Sequence, residues 1–398
     1  MKSGGILYLS NARLPTEKAH GFQIVKMCEA FADHARVKLV HPYRRQRPHI
    51  RTAGDIWNFY NLKQTFEVCR LGNLDVACVE KVLPLPLYRG VFFLHSLLWG
   101  LRAAVYARKE KASINYTRDL VIAFWMARLG QPTIFEAHSI PARARLWLLR
   151  GLSRSSSLLR VVALTSFLGE RLTKLGISRE KITIAPDAVD PDDFANLPSP
   201  VLCRKRLGLP ADSFFLGYVG RFQTMGREKG IPDLIRALAY FDNGDAPHLL
   251  CVGGPLNAVP DYLEVASQQG ISENLLTFID YVPKRKVPYW VRSCNVVVIP
   301  FPAEQHYAYY ASPLKLFEYM ASGVPIIASR LPSLEEILVH EHNALLVEPN
   351  NPEMLAGAVR RLRADPEFAL QLAEHARREV ASHTWRSRAV KILDGLPC

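Results

Sequence analysis

The most informative segment of the chain is a short helical pattern that carries a lysine and a glutamate. Ser312 is a good N-cap, and Pro313 suits the first helical position, where a missing N–H is harmless. Lys315 and Glu318 lie three residues apart, so we expect both on one face of a helix that Gly323 ends. Free N–H groups at a helix N-terminus favour a phosphate. The alternative is an ordinary amphipathic helix with a surface lysine and glutamate.

Two further cations follow a predicted strand at 214–219. Arg221 comes directly after this strand, and Lys229 lies a few residues further on, beside a glycine. A planar guanidinium and a compact ammonium together neutralise a diphosphate well. The alternative is plain surface charge.

The N-terminal half offers two candidates at strand ends. Gly21 lies at a helix start after the first strand, where it would let the backbone approach a ligand closely. His138 follows a strand at 132–135, and Arg118 follows one at 113–117. The alternatives are an ordinary loop and cap for Gly21 and a structural histidine for His138.

The net charge of +13 comes from the N-terminal half, because residues 1–190 hold 29 Lys and Arg against 14 Asp and Glu. Such charge favours an anionic membrane surface. A solvated basic face is the alternative, and nucleic acid is disfavoured because no RNA-binding signature accompanies the charge. The basic residues form two clusters: Arg44, Arg45, Arg47 and Arg51, and then Arg143, Arg145, Arg150, Arg154 and Arg160.

Other features bound the class of protein. The first ten residues have too short an apolar run for a secretory signal, and the seven cysteines form no CxxC pair, which favours a reducing, cytoplasmic setting. Residues 82–107 contain a markedly apolar stretch that includes 91–100, and Arg89 and Arg102 flank this stretch. It is far shorter than the roughly 20 uninterrupted apolar residues that a spanning helix needs. We expect a buried helix or one that touches a membrane.

Apolar runs alternate with helical patterns throughout the 398 residues, which predicts two parallel α/β domains. We expect a doubly wound, Rossmann-like domain over 1–190, a linker rich in proline, a second such domain over 201–376, and a final helical segment over 377–398. The predicted strands are 5–9, 36–41, 113–117, 132–135 and 161–164, and then 214–219, 248–252, 276–279, 295–299 and 325–328.

The combination of motifs resembles the retaining, family 4 class of nucleotide-sugar glycosyltransferases, most specifically in the run from Ser312 to Gly323. The resemblance implies the GT-B fold, with two Rossmann-like domains facing a cleft, an N-terminal acceptor domain and a C-terminal donor domain. It implies that Ser312, Lys315, Arg221 and Lys229 hold the donor diphosphate and that Glu318 binds the ribose. It also places His138 on the donor sugar and its phosphate, so the predicted catalytic residues are His138, Arg221 and Lys229. Gly21 is expected on phosphate and acceptor, and the loops at Gly253 and Val282 around the nucleobase.

The chain departs from the family pattern at Tyr310, where many members have a first glutamate seven residues before the one matching Glu318. The resemblance implies transfer of a hexosyl group from a UDP- or GDP-sugar to a hydroxyl of a glycan or lipid-linked acceptor, with no metal and no cofactor. The expected setting is cytoplasmic, with peripheral contact to the inner membrane face. The alternatives are a nucleotide-sugar 2-epimerase on the same fold and a non-catalytic glycan- or membrane-binding relative.

Overall fold

Short apolar runs become parallel strands in both halves of the chain. The computed structural model describes residues 5–46, 50, 55–76, 83–224, 226–242 and 244–396. The chain divides into unit 1, Met1–Pro186 with Trp385–Cys398, and unit 2, Asp187–Thr384. The change from unit 2 back to unit 1 follows a helix that ends at Glu379 and a short turn at Val380–Ser382.

Unit 1 contains a seven-stranded parallel sheet in the order β3-β2-β1-β4-β5-β6-β7. This order reverses direction between β1 and β4, which is the topological switch point of doubly wound folds. Its strands are β1 (Gly5–Leu9), β2 (Arg36–Pro42), β3 (Glu67–Leu71), β4 (Ile114–Thr117), β5 (Thr133–Ala137), β6 (Leu158–Ala163) and β7 (Ile182–Ile184).

Unit 2 repeats the plan with six parallel strands in the order β12-β11-β8-β13-β14-β15, the strand order of the Rossmann fold. The switch point lies between β8 and β13. A small antiparallel hairpin, β9–β10, follows β8. The strands are β8 (Phe215–Val219), β9 (Gln223–Thr224), β10 (Arg227–Glu228), β11 (His248–Val252), β12 (Leu276–Ile279), β13 (Val296–Ile299), β14 (Ile326–Ser329) and β15 (Leu345–Val347).

Helices connect the strands in both units. Those of unit 1 are α1 (Ala19–Ala32), α2 (Ile56–Tyr60), α3 (Leu85–Glu110), α4 (Leu120–Arg128), α5 (Leu146–Ser153), α6 (Ser166–Lys174) and, at the end of the chain, α17 (Trp385–Leu393). Those of unit 2 are α7 (Asp192–Ala195), α8 (Pro200–Leu207), α9 (Ile231–Leu238), α10 (Val259–Gln268), α11 (Val287–Arg292), α12 (Gln305–Tyr309), α13 (Leu314–Ser322), α14 (Pro332–Glu335), α15 (Pro352–Ala364) and α16 (Pro366–Glu379).

The cores explain why the strands read as continuous apolar runs. Each residue of β8, β13 and β14 is buried, because helices cover both faces of the sheet. Two apolar clusters, one on each face of the unit 2 sheet, contain Phe215 and Phe317 in one case and Leu216 and Ile235 in the other. The expected pair of parallel α/β domains is therefore confirmed.

The ten predicted strands are present, and the missed elements have physical reasons. Strand β3 lies at the sheet edge beside β2 and is mostly exposed, so its sequence Glu-Val-Cys-Arg-Leu shows no apolar run. Strands β7 and β15 have only three residues each, too few for a periodicity signal. The apolar segment at 82–107 becomes the 26-residue helix α3, which is long and apolar enough to cross a membrane by length and composition alone.

Candidate functional site

The loops that follow β8 and β11 pack directly against one another in unit 2. Gly220 has φ +151° and donates its N–H to the Val252 carbonyl at 2.7 Å. Gly253 has φ +129°, and a Cβ there would lie 2.6 Å from the Gly220 carbonyl oxygen and 3.1 Å from the Arg221 nitrogen. Both glycines are therefore required by backbone conformation and close approach. The predicted Gly253 position supports the turn that carries Arg221.

The Lys315 side chain lies beside the loop that follows β8. It extends from the first turn of α13, it is buried, and its ammonium has no hydrogen-bond partner among the residues that the structure describes. Its Nζ lies 3.4 Å from the centroid of the Tyr218 ring, so a cation–π contact supplies part of its stabilisation. Burial and the neighbouring Lys229 hold the pKa of Lys315 well below its usual range. A buried ammonium of this kind is suited to an anionic ligand.

Lys229 lies close to Lys315, and Arg221 lies close to Lys229. Burial and the nearby Arg221 lower the pKa of Lys229 to about 8, and Lys229 in turn lowers the pKa of Lys315. Mutual repulsion lowers the affinity of such groups for protons and raises their affinity for an anion. The structure thus brings together Arg221, Lys229 and Lys315, as the sequence predicts, next to the switch point between β8 and β13.

Glu228 organises the loop that carries Lys229. Its Oε1 accepts the N–H of Lys229 at 2.8 Å and that of Ile231 at 3.4 Å, and its Oε2 accepts the Tyr262 hydroxyl at 2.8 Å. Gly230 adopts φ +88° at the start of α9, where a Cβ would overlap the Pro300 carbonyl. Sequence reasoning did not select Glu228, and the only available signal was its position directly before the Lys229-Gly230 pair.

The start of α13 differs from the prediction. The helix begins at Leu314 and its N-cap is Pro313, so Ser312 is not the capping residue. The Ser312 Oγ instead accepts the backbone N–H of Asp187 at 2.8 Å, and the Leu316 N–H pairs with the Pro313 carbonyl at 2.9 Å. The hydroxyl is therefore used to fix the Asp187 loop within unit 2. The end of the helix at Gly323, with φ +66°, is as predicted.

Glu318 lies on α13 one turn beyond Lys315, and it is buried. Its Oε1 forms an ion pair with the Nζ of Lys284. Lys284 lies two residues after Val282, so this ion pair links Glu318 to the segment that carries Val282. Sequence reasoning did not select Lys284. The pair holds the Glu318 side chain in one place. Ribose contact by Glu318 and nucleobase contact at Val282 stay predictions.

Tyr310 occupies the C-cap of the short helix α12, and its N–H pairs with the His306 carbonyl at 3.0 Å. It is half-buried, with its ring 6.4 Å from that of Tyr309. The nearby His306 has its pKa lowered by burial and by the cations Arg227 and Lys229. The position where the family resemblance leads us to expect a glutamate therefore has an aromatic neighbourhood with cations close by.

His138 lies at the carboxyl end of β5 in unit 1, and both of its ring nitrogens are occupied. The Arg118 guanidinium donates to Nδ1 at 3.0 Å, so the proton must reside on Nε2, which donates to Glu136. Burial and Arg118 lower the pKa of His138 to about 4, so the ring is neutral near pH 7. Arg118 is itself fixed by the Gln23 side chain at 2.8 Å.

Glu136 is a buried carboxylate that sequence reasoning did not select. The Arg388 Nη2 lies 3.0 Å from its Oε2, and the Tyr116 hydroxyl donates to the same oxygen. Burial opposes its ionisation, but Arg388 and His138 outweigh burial and hold the pKa of Glu136 well below its usual range. The signal that could have found it is a charged residue inside a buried strand, two positions before a histidine.

The absence of a side chain at Gly21 has a packing reason in unit 1. A Cβ there would overlap the hydroxyl of Tyr60 and approach the Thr16 Cγ2. The Tyr60 hydroxyl accepts the Thr16 N–H at 2.8 Å and donates to the Thr16 carbonyl at 2.9 Å. Gly21 therefore lets α1 pack closely against the hydrogen-bonded pair of Tyr60 and Thr16. Contact of Gly21 with phosphate or acceptor stays a prediction.

We find no candidate metal site in the part of the chain that the structure describes. No group of three or more His, Cys, Asp or Glu side chains there could hold a metal ion. A metal-independent reaction stays an expectation.

Comparison with known proteins identifies the family from both halves of the chain. The model described as Glycosyltransferase Family 4 matches residues 24–193, and the model described as Glycosyl transferases group 1 matches residues 213–365. A D-inositol 3-phosphate glycosyltransferase of Xylanimonas cellulosilytica is 29% identical over 243 residues, which are 59% of this chain and 55% of that protein. The matches thus span about half the length of such curated relatives.

Solved structures match along nearly the whole chain. Anabaena HepE, solved in complex with UDP, has a TM-score of 0.71 at 18% identity and covers 98% of both chains. The sucrose-phosphate synthase of Thermosynechococcus elongatus has a TM-score of 0.70 at 20% identity and covers 98% of this chain and 97% of its own. At these identities the likeness shows the fold, which is GT-B. Taken with the two family matches, it means that this chain belongs to the family 4 glycosyltransferases.

Proposed function

We propose that unit 2 binds the diphosphate of a nucleotide sugar and that the protein transfers the glycosyl group to a hydroxyl acceptor with retention of anomeric configuration. One observation carries the donor assignment. Lys315 is buried without a hydrogen-bond partner among the described residues, beside the cation Lys229, itself close to Arg221. A desolvated cluster of cations at a switch point suits a nucleoside diphosphate better than any neutral ligand.

The chemistry follows from where charge develops. The bond between the anomeric carbon and the diphosphate oxygen breaks, the acceptor oxygen bonds to that carbon, and the leaving diphosphate takes up the acceptor proton. Arg221, Lys229 and Lys315 stabilise the negative charge on the leaving group. Removal of one such preorganised group typically lowers the rate by about 10²–10³-fold. A separate carboxylate base is not required in this scheme.

UDP-sugars are the first donors to test, with GDP-sugars second. Anabaena HepE, which shares the fold, has been solved with UDP and with UDP-glucose. The acceptor is proposed to be a hydroxyl of a glycan or lipid-linked precursor, and the basic N-terminal half fits an acceptor that carries negative charge. Contact of His138 with the donor sugar stays part of this proposal.

Thermal unfolding with a panel of UDP-, GDP- and ADP-sugars tests the donor site. A ligand at 100 times its dissociation constant stabilises the folded protein by about 2.7 kcal/mol. We expect one nucleotide series to raise the unfolding temperature of the wild type and of Arg206→Ala, a control at an exposed arginine of α8. The same nucleotides should leave the unfolding temperature of Arg221→Ala unchanged. Release of the nucleoside diphosphate on addition of an acceptor mixture then tests transfer. Failure of all nucleotides to stabilise the wild type would contradict the proposal.

A further inference from the structure

Helix α3 in unit 1 exposes a continuous apolar face. Aliphatic residues spaced three or four apart run along it for about 27 Å, at 1.5 Å per residue. Leu87, Leu94 and Leu98 are 55%, 58% and 61% exposed, and Val105 is 43% exposed. Single exposed leucines are common, but an aligned row of this length is not. We call this row the α3 stripe: Leu87, Val91, Leu94, Leu98, Leu101 and Val105.

The opposite face of α3 is already used by the protein. Trp99, Ala103 and Ala107 are buried there against the core of unit 1. Gly100 lies so close to α4 that a Cβ would come within 2.9 Å of Val121. The helix therefore cannot rotate to bury the α3 stripe, and it cannot cross a bilayer without giving up this packing. A helix that is apolar on both faces needs a second apolar partner.

The charges around the α3 stripe are basic. Arg102 and Lys109 continue the row of the stripe at helical spacing, and both are exposed. The one acid of the helix, Glu110, is engaged by Lys38 at 2.8 Å. This pairing leaves positive charge to dominate the exposed side of α3.

Two arginines from other segments lie against aromatic rings in the N-terminal part of α3. The Arg44 guanidinium lies 5.7 Å from the Phe92 ring centroid, and that of Arg145 lies 4.8 Å from the Phe93 ring centroid. Trp147 is also exposed, on the neighbouring helix α5. An exposed tryptophan beside arginines and leucines is typical of groups that sit at a lipid–water boundary. Arg47 and Arg51 of the same predicted basic cluster lie outside the described residues, and Arg160 of the second cluster instead binds the carbonyls of Ile392 and Asp394.

We propose that the α3 stripe docks on an anionic lipid surface, with α3 lying in the plane of the headgroups. The leucines enter the headgroup–acyl boundary, while Arg102 and Lys109 contact anionic headgroups. A second copy of the chain is a poorer partner, because Arg102 and Lys109 would be brought against the same face without acids to pair with them. The proposal involves none of the donor-site residues, so it stands or falls separately from the proposed transferase activity.

Sedimentation with lipid vesicles tests the α3 stripe in the full chain. We expect the wild type to bind phosphatidylcholine vesicles that contain 30 mol% phosphatidylglycerol, with affinity that falls as salt is raised. Leu94→Ser with Leu98→Ser should weaken this binding at least tenfold, and so should Arg102→Glu with Lys109→Glu. The matched control, Leu256→Ser with Leu370→Ser, changes two exposed leucines of unit 2 and should bind like the wild type.

Three results would overturn the proposal. The first is wild-type binding that is absent, or equal on pure phosphatidylcholine vesicles. The second is unchanged binding by the Leu94→Ser, Leu98→Ser variant. The third is a dimer in sedimentation velocity that the same two substitutions dissociate, which would assign the stripe to a second copy. Unaltered unfolding temperatures of the variants confirm that the surface, and not the fold, has been changed.

Discussion

Arg388 and Glu136 form a buried ion pair in unit 1, with 3.0 Å between the Arg388 Nη2 and the Glu136 Oε2. Arg388 also donates to the carbonyls of Pro186 and Ala185, at 2.7 and 3.2 Å. Glu136 in turn accepts from His138. The orientation of the predicted catalytic histidine therefore depends on a side chain from the last helix of the chain.

Substitution Arg388→Met should destabilise unit 1 strongly, because it leaves the Glu136 carboxylate buried without its counter-charge. Loss of one partner of a buried pair typically costs about 3–5 kcal/mol. We expect an unfolding temperature lowered by several degrees, measured by circular dichroism. Arg386→Met is the matched control on the same helix, because Arg386 is 81% exposed and its pair with Asp33 is worth at most about 1 kcal/mol. Equal effects of the two substitutions would contradict this account of the buried pair.

Nucleotide affinity should depend on pH through Lys229. Its pKa in the free protein is about 8, and a bound diphosphate favours the protonated form, which raises the pKa in the complex. Above pH 8 the protein must then take up a proton on binding, so affinity falls by up to about tenfold per pH unit. Below pH 8 this group contributes little dependence. Calorimetric titration of UDP between pH 7 and 9.5, in buffers of different ionisation enthalpy, measures both effects.

The control for this pH dependence is Lys229→Arg, which stays charged throughout the range. Its affinity should be nearly constant from pH 7 to 9.5 apart from any contribution of Lys315, whose pKa is lowered too. A wild-type profile that is flat across this range would mean that Lys229 does not meet the phosphate.

Substitution Gly253→Ala should impair both stability and nucleotide binding. The new Cβ would lie 2.6 Å from the Gly220 carbonyl, in a backbone conformation of φ +129° that an alanine rarely adopts. We expect a loss of about 1–3 kcal/mol and a displaced Arg221 turn. Gly270→Ala is the control, because Gly270 also has positive φ, at +67°, but no atom lies near its Cβ position. The control should lose stability alone, and a normal UDP affinity in Gly253→Ala would contradict the role of this contact.

The sequence predicts the repeated α/β plan well because buried parallel strands such as β8 and β13 leave a strong apolar signal. It also indicates that Arg221, Lys229 and Lys315 lie at one end of this sheet, since charged residues directly after such strands, or at a helix start, have a clear position. Their contact with a diphosphate stays a prediction. The edge strand β3 was missed because its exposed residues carry no such signal.

Partners that are distant in the sequence could not be predicted. The pairing of Glu318 with Lys284, and of Glu136 with Arg388, depends on the packing of segments that no local pattern connects. The N-cap was misplaced because Ser312 is used by the Asp187 loop, a tertiary contact that overrides local capping preference. The burial of Lys315 over Tyr218 also requires the folded sheet.

The central claim is that the buried Lys315 ammonium binds the donor diphosphate. Calorimetric titration of UDP into the wild type and into Lys315→Met tests this claim most directly. Methionine keeps the length of the side chain and removes a desolvated charge, so the unfolding temperature of the empty protein should not fall. The affinity for UDP should fall by about 10–100-fold, the loss expected for a charged hydrogen bond. Lys205→Met, at an exposed lysine of α8, should match the wild type. Equal UDP affinity in wild type and Lys315→Met would contradict the account.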